Sequence, residues 1–106
     1  MGMESFGADS PQQNRSLEEM EKEKRAKEIE GLIKTKRDEW RGVEEKNYSA
    51  RMGSGVDYIK LKEGDVAQQD LYNANKATEA ATKLRMAQLD AEIEDLDKER
   101  MHLLYN

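Results

Sequence analysis

The side chains best suited to chemistry lie near the end of the chain, where Glu99 and His102 stand three residues apart. On a helix this spacing puts a carboxylate and an imidazole on one face, the arrangement with which helix bundles hold a pair of iron ions. Two further carboxylates, from Glu28 or Glu30 of a helix packed alongside, would complete such a centre. His102 is the only histidine and lies four residues from the end of the sequence. The hydrogen-bonded support that orients metal ligands is hard to build there. No metal and no cofactor is therefore expected.

Asp90, Glu92, Glu94, Asp95, Asp97 and Glu99 form the densest acidic run, relieved only by Lys98. The run lacks the turn glycine of a calcium loop and falls on a predicted helix, so a solvated helix face, or a surface for a basic protein, is the reading it supports. Covalent catalysis has little to work with: cysteine is absent, and Gly53-Ser54-Gly55 follows no strand as a phosphate-cradling loop would. The chain is expected not to be an enzyme.

Twenty-three acids against 18 bases leave a net charge of −5, and Lys22, Lys24, Arg25 and Lys27 are interleaved with glutamates, which argues against nucleic-acid binding. An acidic helical chain can instead imitate nucleic acid and block a basic enzyme, as some phage inhibitors do, with Glu92 and Glu94 as the residues to test.

Long helices must carry these groups. Ala, Glu, Lys, Leu and Arg make up 52 of the 106 residues, the composition of charge-rich helix, while Leu, Ile, Val and Phe make up only 17, too few for a compact globule. The expected fold is all-α: two long helices, about 16–46 and 65–104, joined by a glycine-rich loop at 47–64 as a helical hairpin or extended coiled coil, with a flexible polar tail at 1–15. Residues 16–106 would form one helical unit.

Ser16 with Glu19, and Asp65 with Gln68, have the spacing of capping boxes and mark the two helix starts. Pairs four apart at Glu18/Lys22, Glu21/Arg25, Glu23/Lys27 and Glu30/Lys34 suit a solvated first helix whose start has almost nothing to bury. Gly42 is a candidate end or kink of that helix. Val56 to Lys62 reads as irregular or a short helical turn.

Apolar spacing locates the expected partner interface at Ile29, Ile33, Trp40 and Val43 in the first helix. In the second it predicts Leu71, Leu84, Met86, Leu89, Ile93, Leu96 and Leu103. Ala74, Ala77, Ala80 and Ala81 form a thin stripe between Leu71 and Leu84 that permits close approach of another helix, and Arg100 intrudes at a core-type position.

The expected function is that of a non-enzymatic structural or adaptor subunit that binds a protein partner, or itself, through helix packing within a larger assembly. No apolar run nears the roughly 18 residues that span a bilayer, and no signal peptide is seen at the start, which suggests the cytoplasm or a large assembly. Asn14-Arg15-Ser16 and Asn47-Tyr48-Ser49 fit the glycosylation pattern only by chance on that reading.

Trp40-Arg41-Gly42, midway along the chain and followed by Tyr48, resembles the Trp-x-Gly turn of the small helical-hairpin substrates of type VII secretion. The resemblance implies a secreted hairpin, with its turn at Trp40 to Gly42, that dimerises in an antiparallel four-helix arrangement.

Overall fold

The structure, a computed structural model, describes residues 16–105; the expected tail at 1–15 lies outside the described residues. Helix α1 runs Leu17–Arg51, a short α2 Tyr58–Lys62, and α3 Val66–Tyr105, with no strand among the described residues. The long helices fold back on each other as an antiparallel hairpin. At 1.5 Å per residue the 40 residues of α3 span ~60 Å.

Local chemistry sets the ends. The Glu19 amide donates to Ser16 Oγ at 3.1 Å, and the Gln68 amide donates to Asp65 Oδ1 at 3.0 Å. The Gln68 side chain does not return to Asp65, however. Its Oε1 accepts from the Asp57 amide at 2.7 Å and so ties the loop to α3.

The first helix does not stop at 46, and Gly42 neither ends nor kinks it. Gly31 and Gly42 take helical backbone, with open space where a side chain would be. α1 instead ends at Gly53, whose φ of 73° lets the chain turn back. The Ser54 amide donates to the Ser49 carbonyl and the Gly53 amide to the Ala50 carbonyl, both at 3.0 Å, which satisfies carbonyls that the helix end leaves open. The same pattern closes α2 at Gly64, with Asp65 donating to Lys60 and Gly64 to Leu61, both at 3.1 Å. Asp65 therefore closes one helix and opens the next.

The seam is longer than its apolar part. In α1 it runs Lys22, Ala26, Ile29, Ile33, Lys36, Trp40, Val43, Asn47 and Ala50; in α3, Gln68, Tyr72, Asn75, Glu79, Thr82, Met86, Leu89, Ile93, Leu96, Arg100 and Leu103. All of these are buried or half-buried, and all fall on an unbroken three-four spacing, the heptad of helices that wind together. The start of α1, expected to bury almost nothing, buries Ala26. Toward the loop the seam is polar rather than alanine-lined. Asn47 Nδ2 donates to Thr82 Oγ1 at 3.0 Å and to the Glu79 carbonyl at 3.1 Å. Ala74, Ala77, Ala80 and Ala81 lie on the outer, exposed side of α3.

Two helices alone bury little. Ala26, Ile29, Ile33, Ala50 and Leu89 are the buried hydrophobic residues among those described. The rest of the seam is half-covered because two cylinders meet along one line and leave a furrow on either side.

Candidate interaction surface

The two furrows differ, and the difference arises from the residues beside the seam. Along one edge the α3 positions seven apart, Arg85, Glu92 and Glu99, each meet an opposite charge from α1, although Leu32 stands between Arg25 and Glu39 on α1. Arg25 grips Glu99 with two bonds, Nε to Oε2 at 2.9 Å and Nη2 to Oε1 at 3.2 Å. Arg85 grips Glu39 likewise, Nε to Oε2 at 2.8 Å and Nη2 to Oε1 at 3.0 Å. Between them Lys36 reaches out of the seam to Glu92 Oε1 at 2.8 Å, and Arg85 Nη1 lies 3.9 Å from Glu92 Oε2.

These bonds perturb the acids they hold. The Arg85 hydrogen bond holds the Glu39 carboxyl below the usual glutamate range. The Lys36 and Arg25 hydrogen bonds do the same for Glu92 and Glu99. Arg25, Arg85 and Arg100 are correspondingly harder to deprotonate, through hydrogen bonds to Glu99, Glu39 and Asp97. This edge is closed.

The other edge is open. Arg37, Arg41 and Glu44 of α1 and Asp90 of α3 border a groove in which Trp40 and Ile93 are half-exposed. The groove continues past Ile33, Lys34 and Glu30 to Asp97 and Arg100. Arg100 Nη2 donates to Asp97 Oδ1 at 2.9 Å, and its Nη1 lies 3.7 Å from Glu30 Oε2, so that end is bridged. In the middle, Arg37, Glu44, Lys83 and Asp90 form no ion pair or side-chain hydrogen bond among the described residues. Trp40 Nε1 and Arg100 Nε are buried without a hydrogen-bond partner.

The residues expected at a partner interface are distributed accordingly. Ile29, Ile33, Trp40, Val43, Met86, Leu89, Ile93, Leu96 and Leu103 lie in the seam between the chain's own helices. Leu71 is half-buried beneath the loop, where a methyl group added to Gly55 would meet it. Leu84 alone points away, exposed on the outer face beside the alanines. Sequence spacing did not mark Ala26, Asn47, Ala50 or Thr82 as seam positions, although stepping three and four residues outward from Ile29 and Val43 reaches the first three. Nothing local marked the groove residues Arg37, Arg41 and Asp90, whose proximity depends on the register of the hairpin.

The other chemical candidates dissolve in the fold. The Glu99 carboxylate is taken by Arg25, and no three His, Asp or Glu side chains gather as metal ligands among the described residues. The acidic run is spread around α3: Glu92 and Glu99 turn to the closed edge, Asp97 to Arg100, and Glu94 sits 3.8 Å from Lys98. The expected pairs also rearrange, since Arg25 turns to Glu99 and Glu28, Lys34 to Asp38, and Glu30 to Arg100. Asn47 of the second glycosylation pattern is held inside the seam. Trp40 and Gly42 lie in the middle of an uninterrupted helix, whereas the turn falls at 52–57. No helix among the described residues is long and apolar enough to cross a membrane. Comparison with family models, with curated proteins and with solved structures returns no match for this chain.

Proposed function

We propose that this chain is a non-enzymatic helical-hairpin subunit that binds a protein partner by helix packing along the open edge of the hairpin. The observation that carries this reading is the contrast between the edges. One is bridged by three direct ion pairs, at Arg25–Glu99, Lys36–Glu92 and Arg85–Glu39. The other leaves Trp40 and Ile93 half-exposed between charges that bond to nothing across the furrow. A helix laid there would cover apolar surface and supply partners for those charges, which is how helix-in-groove recognition works. The inhibitor reading has less support, because Glu92, with Glu94 one of its two test residues, is already neutralised within the chain.

The test is retention of partners from the native source by the immobilised chain. Arg37→Glu with Arg41→Glu should abolish retention while leaving helix content intact. Thr35→Glu, on the opposite side and exposed, should not. The reverse ranking, or no association with any protein including the chain itself, would overturn the proposal. Ile93→Asp and Leu96→Asp are poorer tests, since both residues hold the hairpin together and their loss would unfold it.

A further inference from the structure

Resting on that reading, we infer that the occupant of the open edge is a second copy of this chain. The two hairpins would lie side by side with their loops at the same end, α1 of each on α3 of the other. The charges beside the groove choose the partner, and the apolar half of the seam chooses its orientation.

At the middle of the groove α1 carries Arg37 and α3 carries Asp90, while farther from the loop Arg100 lies between the acids Glu30 and Asp97. Seven residues from Arg37 and Asp90 toward the loop the signs exchange, to Glu44 on α1 and Lys83 on α3. The surface is therefore self-complementary. A half-turn about the long axis of the hairpin keeps every residue at its own level and swaps the helices. It sets Arg37 against the other Asp90, and Glu44 against the other Lys83.

The alternative twofold, across the long axis, stacks α1 on α1. Centred midway between the two charge layers, it sets Arg37 against the other Glu44 and Asp90 against the other Lys83. Opposite charges meet there too, but the apolar stretch from Ile29 to Trp40 then falls on the polar loop half of the other seam, whereas the first arrangement sets Trp40 and Ile93 of both copies at one level and is preferred. Lys34 and Arg41 already reach Asp38, Asp97 reaches Arg100 and Glu94 reaches Lys98 within the chain, so Arg37, Glu44, Lys83 and Asp90 are the charges a second copy would pair. Burying Trp40 and Ile93 from both copies would also convert a thin two-helix seam into the core of a four-helix bundle, in which facing helices can cover apolar positions from two sides.

The experiment is sedimentation equilibrium on the full chain and two edge variants, with circular dichroism to confirm that each stays helical. Wild type is expected at twice its 12.2 kDa. Arg37→Glu with Arg41→Glu leaves acids on both helices at the Arg37 level; Asp90→Lys with Glu94→Lys leaves bases on both. Each alone should self-associate at least ~100-fold more weakly, and an equimolar mixture should restore a 1:1 dimer. A wild-type monomer at ~100 µM, or variants that dimerise alone as well as wild type, would overturn the inference. A heterologous partner would then still be open to the capture experiment above.

Orientation is read separately from a spin label at Ser54→Cys in the loop, in the otherwise unaltered chain. Packed helices lie 8–10 Å apart, so labels at the same end of the dimer should be within ~30 Å of each other. Hairpins that run opposite ways would separate them by ~40 Å or more, which would refute the arrangement even if a dimer forms.

Discussion

Leu89 and Leu84 are five residues apart on one helix, yet the hairpin gives them opposite fates: Leu89 is 0% exposed and Leu84 is 62% exposed. Truncating Leu89 to alanine removes a fully buried side chain from the middle of the seam. Such losses fall at about 2–5 kcal/mol, depending on how far the surroundings collapse. Two helices with a furrow on either side relax more readily than a closed core, so about 2–3 kcal/mol is expected here. At 1.4 kcal/mol per tenfold this raises the unfolding constant by ~30- to 150-fold. Leu84→Ala removes a side chain that touches little and puts in the better helix former, so its effect should stay within about 0.5 kcal/mol and lean toward stabilisation. Urea titration followed by circular dichroism, at one protein concentration, reads both. With a slope near 1–1.5 kcal/mol/M, the Leu89 midpoint should drop by about 2 M while that of Leu84→Ala stays in place. Equal losses, or a larger loss at Leu84, would mean that α3 turns a different face to α1 and that the register described above is wrong.

Three further outcomes follow from the same geometry. Glu39, Glu92 and Glu99 titrate lower in the folded chain than free glutamate, so the stability they contribute is fully present above the ordinary value of 4.5 and is lost as pH falls through their depressed values. Thermal melts from pH 7 to 3 should therefore show a fall below about pH 4.5 that Glu39→Gln, Glu92→Gln and Glu99→Gln together flatten; an unchanged profile would contradict the closed edge. Gly53→Ala should destabilise by at least about 1–2 kcal/mol, because φ is positive there and the new methyl meets the Tyr58 ring, whereas Gly31→Ala and Gly42→Ala, with open space around them, should each stabilise by roughly 0.5–1 kcal/mol in the same urea assay. Asn47→Ala should cost about 1–2 kcal/mol, and Thr82→Ala less, since Asn47 keeps its bond to the Glu79 carbonyl; the opposite order would place Asn47 outside the seam.

What could be read from the residues was local. Ser16 and Asp65 announce helix starts because a cap acts within one turn, and the hairpin follows from two long helix-forming segments around a glycine-rich break. Gly42 misled because a glycine lowers helix stability without setting where a helix ends. Gly53 does that, through its positive φ and the backbone bonds that close the turn. The apolar half of the seam was visible in Ile29, Ile33, Met86, Leu89, Ile93 and Leu96. Its polar half was not, since Asn47, Asn75, Glu79 and Thr82 carry no hydrophobic signal. The alanines from Ala74 to Ala81 repeat at a similar spacing on the outer face and so looked like its continuation. The edges were illegible for a different reason: Arg25 finds Glu99 across 74 residues of sequence, and Arg37 faces an open groove only because of the register that such pairs set. Charge counts show neither.

Both edges exist only if α1 and α3 of one chain lie against each other in this register, so the most direct test is a distance across the seam. Thr35 and Gln88 are exposed at the same level of the two helices, on the closed side. Spin labels at Thr35→Cys and Gln88→Cys, diluted tenfold with unlabelled chain so that only separations within one molecule are read, should give a single narrow distance of about 15–25 Å, set by an interaxial spacing of 8–10 Å plus the label arms. A distribution centred beyond ~40 Å, the separation of helices extended end to end, would contradict the hairpin and with it the open edge.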